Sequence, residues 1–172
     1  MVWSKAINDT VGLLNYFNLS KEDYRWNERA LATVYTSNDQ LTASRVRNLI
    51  TNRYNSSLLS DEEISFLNLG KGEFYLTDSH VLKLMNRNKQ NNLKISSRSF
   101  EKGKNEFIDK HWVKGTTGNE INLDGSVFFA DIEEFKNGGL KSFEEAKGEV
   151  ITNYQNYLAV SYTHLTLPTM EL

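Results

Sequence analysis

LKISSRSFEKGKNEFIDKHWVKGTTGNEINLDGSVFFADI, residues 93–132, decides the fold. Leu93, Ile95 and Ser97 alternate with Lys94, Ser96 and Arg98, which is the period of a strand, and residues 105–112 read as a short helix. Residues 119–122 and 127–132 read as two more strands. The Asp124-Gly125 pair between them signals a two-residue hairpin, because both central positions of a type I′ turn need positive φ. The stretch thus supplies most of a small antiparallel sheet.

Working outward, ERALATVYTS at 28–37 sets Ala30, Ala32 and Val34 against Leu31, Thr33 and Tyr35 and is the first sheet strand. Between it and residue 93 the pattern gives three helices. The first, 40–54, is capped by Asn38 or Asp39 and carries Ala43, Val46 and Ile50 on its core stripe. The second opens on the capping box of Ser60 with Glu63 and ends near Leu69-Gly70. The third follows Thr77 or Asp78 and carries Val81, Leu82, Leu84 and Met85. The fold class is therefore α+β, with a four-stranded antiparallel sheet in the order β-ααα-β-α-ββ and a helix at either end.

The flanking helices have their own signals. Residues 3–17 place Trp3, Ala6, Ile7, Val11, Leu14 and Phe17 on one side of an amphipathic helix, with Gly12 held by tertiary packing. A polar linker, 18–23, follows. Ser142 and Glu145 form another capping box, opening a helix to about Leu158 with Phe143, Ala146, Val150, Tyr154 and Tyr157 near heptad spacing. The organisation expected is an N-terminal helix and linker (1–27), a central domain (28–135), a C-terminal helix (136–158) and a tail (159–172).

Composition excludes more than it selects. A net charge of −2 gives no field to attract nucleic acid or an anionic membrane. The basic run Lys83, Arg87, Lys89, Lys94, Arg98, Lys102 and Lys104 is interrupted by Glu101, Glu106 and Asp109 and reads as a solvated face. With no cysteine there are neither disulfides nor thiolate metal sites. No apolar run approaches a membrane span, and no secretory leader is visible. His80, His111 and His164 lack ligand spacing, so no metal and no cofactor is expected. Gly70 and Gly72 fit turns, and Asp61, Glu62 and Glu63 suit a helix's first turn. Of the many aromatics, some could line a groove for apolar peptide segments.

The order of elements resembles the parvulin family of peptidyl-prolyl isomerases. FEKG at 100–103 resembles that family's turn after the second strand, and GNEINLDGSVFFADIEE resembles its final hairpin. WSKAINDTVGLLNYF, YRWNERALATVY and LKSFEEAKGEVITNYQNYL resemble the C-terminal part of large SurA-like (parvulin-type) periplasmic isomerases, so the likeness runs over about 3–158. It implies a chaperone role for exported proteins in the periplasm, with unfolded or proline-containing polypeptide clients and upstream domains of a longer chain as partners.

The resemblance fails at the catalytic centre. The family's paired histidines align to Thr33 and Val127, its pocket methionine aligns to Asn105, and no cysteine is present, so no catalytic residue is assigned. Phe107 or Ile108 could still form an apolar wall, and Tyr35, Asn105, Phe107 and Phe129 are the candidate peptide-binding residues. An inactive, client-binding or spacing domain is the first expectation. An isomerase rebuilt on Thr33, Tyr35, Asn105 and Phe129, and a purely structural docking module, are the alternatives. AVSYTHLTLPTMEL at the C-terminus does not continue the family pattern and is expected to be non-native, with Met1 internal to a longer protein and no role for His164 or Pro168.

Overall fold

A computed structural model describes residues 2–70, 72 and 74–166, with the backbone alone at 2–4 and 164–166. The side chains of Trp3 and His164 and the whole of Pro168 lie outside that description. The fold is α+β, and the chain divides into two units. One unit is Glu28–Lys136, and the other is formed by the segments on either side of it.

The central unit is built on β2 (Arg29–Ser37), which pairs antiparallel with β3 (Leu93–Glu101) on one edge and β6 (Val127–Lys136) on the other. Its far flank carries β4 (Gly115–Thr116) and β5 (Glu120–Ile121), both paired to β6. Four strands were expected, and the extra one comes from interruption of that flank. Thr117 bridges the break: its N–H donates to Ala130 O at 2.8 Å, and its buried Oγ1 accepts from Ala130 N at 3.0 Å. A side-chain oxygen thus stands where a backbone carbonyl would continue the ladder. Arg47 Nε donates to Thr117 O at 2.6 Å and anchors the bridge to a helix.

The closing hairpin also differs from its expectation. Gly125 has φ +85°, while Asp124 is absent from the positive-φ residues. Asn122 N donates to Ser126 O at 2.8 Å and Gly125 N to Asn122 O at 3.0 Å, so the loop is Leu123, Asp124 and Gly125 with only the glycine left-handed. The Asp124 carboxylate accepts from Ser126 N at 2.9 Å and Ser126 Oγ at 2.6 Å, which holds Asp124 out of the type I′ conformation.

One face of this sheet is covered by α3 (Gln40–Thr51), α4 (Asp61–Phe66) and α5 (Asp78–Met85), which bury Tyr35, Phe129, Val46, Leu49, Leu76, Val81 and Leu84. Asp39 caps α3 through Thr42 N, and Ser60 with Glu63 forms the expected box on α4. His80 closes a box with Thr77 on α5: Thr77 N donates to His80 Nδ1 and His80 N to Thr77 Oγ1, both at 3.1 Å. The first two of these helices end earlier than the sequence suggested, α5 ends at Met85 as expected, and Leu82, read among its apolar residues, is 36% exposed. The opposite face is covered at one end by α6 (Glu106–Lys110), whose Ile108 packs with Ala30, Ala32, Phe100, Ala130 and Ile132.

In the other unit the expected first helix is two, α1 (Val2–Asn8) and α2 (Thr10–Leu19), broken where Asp9 accepts from Gly12 N at 3.0 Å. The break turns the face: Ala6, Leu13 and Phe17 are buried, whereas Ile7, Val11 and Leu14 are exposed. Gly12 has a steric reason, since an added Cβ would lie 2.2 Å from both Asp9 Oδ2 and Tyr154 OH, which are themselves bonded at 2.8 Å. Tyr154 belongs to α7 (Phe143–Thr166), opened by the expected Ser142 and Glu145 box and continuous past residue 158 into the segment read as a tail. A small ladder of β1 (Arg25–Trp26) with β7 (Gly139–Leu140), too short to carry a periodic signal, joins the start and end of this unit.

Thr117→Val keeps the shape of the bridge but leaves the Ala130 N–H buried without an acceptor. It should cost about 1–3 kcal/mol in urea-induced unfolding, and an unchanged midpoint would mean that the bridge contributes nothing.

Candidate functional site

The two faces of the sheet offer different chemistry. On the open face, the small side chains of Ala30, Ala32 and Ala130 let Ile108 of α6 and Phe100 of β3 sink against the strands. Beyond α6, among the described residues of this unit, no further helix packs on the face, and a groove follows it. Its apolar lobe, about 220 Å3, is lined by Val34, Thr36, Arg98, Phe100, Asn105, Phe107, Ile108, Asn122 and Phe128. A wider polar lobe of about 750 Å3 shares Val34, Thr36, Arg98 and Asn122 and runs on past Lys94 and Ser96 to Asn38, Asn91 and Asp124.

Aromatic edges fix the shape of the apolar lobe. Phe107 and Phe128 meet edge-on with centroids 4.8 Å apart, and Phe107 also packs on His111 at 4.6 Å. The Phe107 carbonyl lies 2.8 Å from His111 Nδ1, which occupies that ring nitrogen. Arg98 lies over Phe100 with its guanidinium carbon 4.5 Å from the ring centroid. Asn105 stands at the mouth as the N-cap of α6, its Oδ1 accepting from Ile108 N at 3.0 Å. Among the described residues, Arg98 is the one ionisable side chain lining this lobe.

The structure divides the residues singled out in the sequence between the two faces. Asn105 and Phe107 come together on the groove. Tyr35 and Phe129 also come together, stacked at 4.8 Å with planes 12° apart, but in the interior under α3 and α5, both 0% exposed. Thr33 and Val127 are buried too. They do not oppose each other: Val127 pairs with Ser37, and the residue across from Thr33 is Asp131. A centre combining Thr33, Tyr35, Asn105 and Phe129 is therefore not assembled, because strand alternation sends odd-numbered residues of β2 away from α6.

Polar residues gather on the helix-covered face instead. Thr33 Oγ1 donates to Glu133 Oε1 at 2.9 Å and lies 2.7 Å from Ser97 Oγ, which then donates to it. Glu133 is the extra residue of a bulge between the pairs Leu31–Glu134 and Ala32–Ile132. Nearby, Tyr35 OH donates to Asp78 Oδ1 at 2.6 Å, and Arg53 Nη2 donates to the same oxygen at 2.7 Å and to Tyr35 OH at 3.1 Å. Burial, with the Asp78 carboxylate beside it, pushes the Tyr35 hydroxyl well above its usual range. Burial also raises the Asp131 carboxyl, with Arg53 opposing and Glu133 and Asp78 reinforcing the shift. Among the described residues no group of His, Asp and Glu is arranged to hold a metal ion, and no helix is long and apolar enough to cross a membrane.

Sequence reasoning missed Val34, Thr36, Phe100, Phe128 and Arg98 as groove residues. The signal was present, because Ala30, Ala32 and Val34 share the face on which Phe100 and Phe128 fall once the register is known.

No protein-family model matches the chain, and no curated protein matches it. A solved structure is similar over 99% of this chain and 67% of that one, at 14% identity and a TM-score of 0.34. It belongs to work describing the virulence factor PEB4 and the periplasmic protein Cj1289 as two structurally related SurA-like chaperones of the human pathogen Campylobacter jejuni. A likeness of that size carries no functional inference.

Because the Asp131 carboxyl is raised in the folded chain and ordinary, near 3.9, in the unfolded one, its charge opposes folding above the folded-state value. The penalty vanishes below the unfolded value. Asp131→Asn should therefore raise the thermal midpoint at pH 7 and give no gain at about pH 3. A gain at acid pH and none at pH 7 would reverse the sign of the shift.

Proposed function

We propose that the chain is a polypeptide-binding module of the chaperone kind, whose central unit holds extended client segments in the open-face groove without isomerising them. The observation that carries this is the apolar lobe formed by Phe100, Phe107, Ile108 and Phe128 at the end of a longer polar groove. Such a surface suits an apolar side chain at one point and a solvated backbone along the rest. The motif resemblance set out above supports the same reading and extends it to a periplasmic setting, with isomerisation performed elsewhere in a longer chain.

Three features favour holding over catalysis. Lowering a peptide-rotation barrier of about 18–20 kcal/mol requires groups preorganised around the twisting bond. In the apolar lobe, Asn105 Oδ1 is committed to capping α6, and Arg98 lies over a ring. Thr33 and Tyr35, which a rebuilt site would need, are bonded within the interior.

The test uses the full chain in two assays, suppression of aggregation of an unfolded polypeptide and isomerisation of a proline-containing peptide. Protection without acceleration is expected. Phe107→Ala, with its fold confirmed by circular dichroism, should weaken client binding about tenfold. Acceleration proportional to protein concentration would establish an isomerase instead, and absence of both activities would leave a structural module.

A further inference from the structure

Strand β3 ends the sheet, whose order is β3-β2-β6-β4. It pairs with β2 along its full length, from Arg29–Glu101 to Ser37–Leu93. In an antiparallel ladder the residues not bonded to one neighbour turn their N–H and C=O groups the other way. The Asn86 side chain takes both such groups of Leu93 at 2.9 Å and Lys104 N donates to Glu101 O, so the outer edge of β3 offers its row at Ile95, Ser97 and Ser99. Among the described residues no strand takes that row. Ser96, Ser97, Arg98 and Ser99 are all exposed, and three of the four carry side chains too small to shield the backbone.

Charge selects what can occupy the edge. Lys94 and Arg98 fall on the open face four positions apart, about 13 Å along the strand. Neither has a carboxylate partner among the described ion pairs, whereas Arg87 and Lys102 of the same basic run do, and Arg98 rests on the Phe100 ring with its charge unpaired. A second copy paired antiparallel on this edge would bring the two basic side chains of one strand against those of the other, and like charges on facing strands are destabilising. A strand bearing carboxylates turns the same arrangement into attraction.

We propose that the outer edge of β3 takes an extended acidic polypeptide segment by strand addition. The segment's backbone completes the ladder, and two carboxylates four residues apart meet Lys94 and Arg98. Backbone bonds supply affinity and the charge pairs supply register and selection. The site runs along the strand edge that borders the groove: it shares Lys94 and Arg98 with the groove wall but makes no use of Phe107 or Phe128.

The test is fluorescence anisotropy on the full chain with a labelled peptide, Thr-Glu-Val-Thr-Val-Glu-Val-Thr, whose glutamates are four apart. Three results are expected: saturable binding that weakens with salt, loss when alternate backbone nitrogens are methylated, and roughly tenfold weakening in the double variant Lys94→Glu, Arg98→Glu. Both positions are exposed, so the variant should fold, and a peptide with lysines in place of the glutamates should bind it in preference to the original chain. Binding indifferent to methylation or to charge reversal would overturn the proposal. So would no binding by a chain that still protects unfolded polypeptide through Phe107, an outcome that leaves the groove reading standing. Self-association of the original chain abolished by the double variant would also overturn it, in favour of a second copy as occupant.

Discussion

Enclosure of β2 on both edges, along its helix-covered face and, at one end, beneath α6 is the constraint on which the central unit depends. A strand in that position satisfies its backbone groups through β3 and β6 and must present side chains that fit two different layers. Toward the three helices it presents Tyr35, which stacks on Phe129 and is filled in around by Val46, Leu76 and Val81. Toward α6 it presents alanines. Bulk at Ala30 or Ala32 would lift Ile108 and Phe100 off the sheet, and the groove beyond them would lose its closed end.

The same alternation separates the packed layer from the open face. Side chains that could have been read as a site, Thr33 and Tyr35, point into the helix-covered layer. There their hydroxyls are bonded to Glu133 and Asp78, and the ionisable groups around them are tied into one another. Leaving such a group unpaired in a buried layer would cost more than the bond contributes, so these contacts specify the fold first. The open face keeps an apolar corner at Phe100, Phe107, Ile108 and Phe128, beside a longer stretch lined mostly by polar residues.

Much of this was legible in the sequence because the signals were local. The strand alternation of residues 29–37 and 93–98, the Ser60, Ser142 and Asp39 caps and the short helix after Asn105 all follow from spacing and side-chain chemistry within a few residues. What was not legible depended on distant partners. Asp9 breaks the first helix partly through Tyr154, on the far side of the sequence. Thr117 splits a strand by standing in for a carbonyl opposite Ala130. Asp124 overrode the Asp-Gly hairpin rule by bonding Ser126. The candidate site suffered most, since which of Tyr35 or Val34 faces the groove turns on a one-residue difference in a period of two, and only the packing of α6 settles it.

The most direct test of the account is chemical-shift mapping on the isotope-labelled chain, titrated with an unfolded, proline-containing polypeptide. The account predicts perturbations that saturate together at Val34, Thr36, Phe100, Phe107 and Phe128, with the Thr33, Tyr35 and Asp78 layer unmoved. Perturbations centred on Thr33, Tyr35 and Asp131 instead, with the open face silent, would contradict it and put the working surface under the helices.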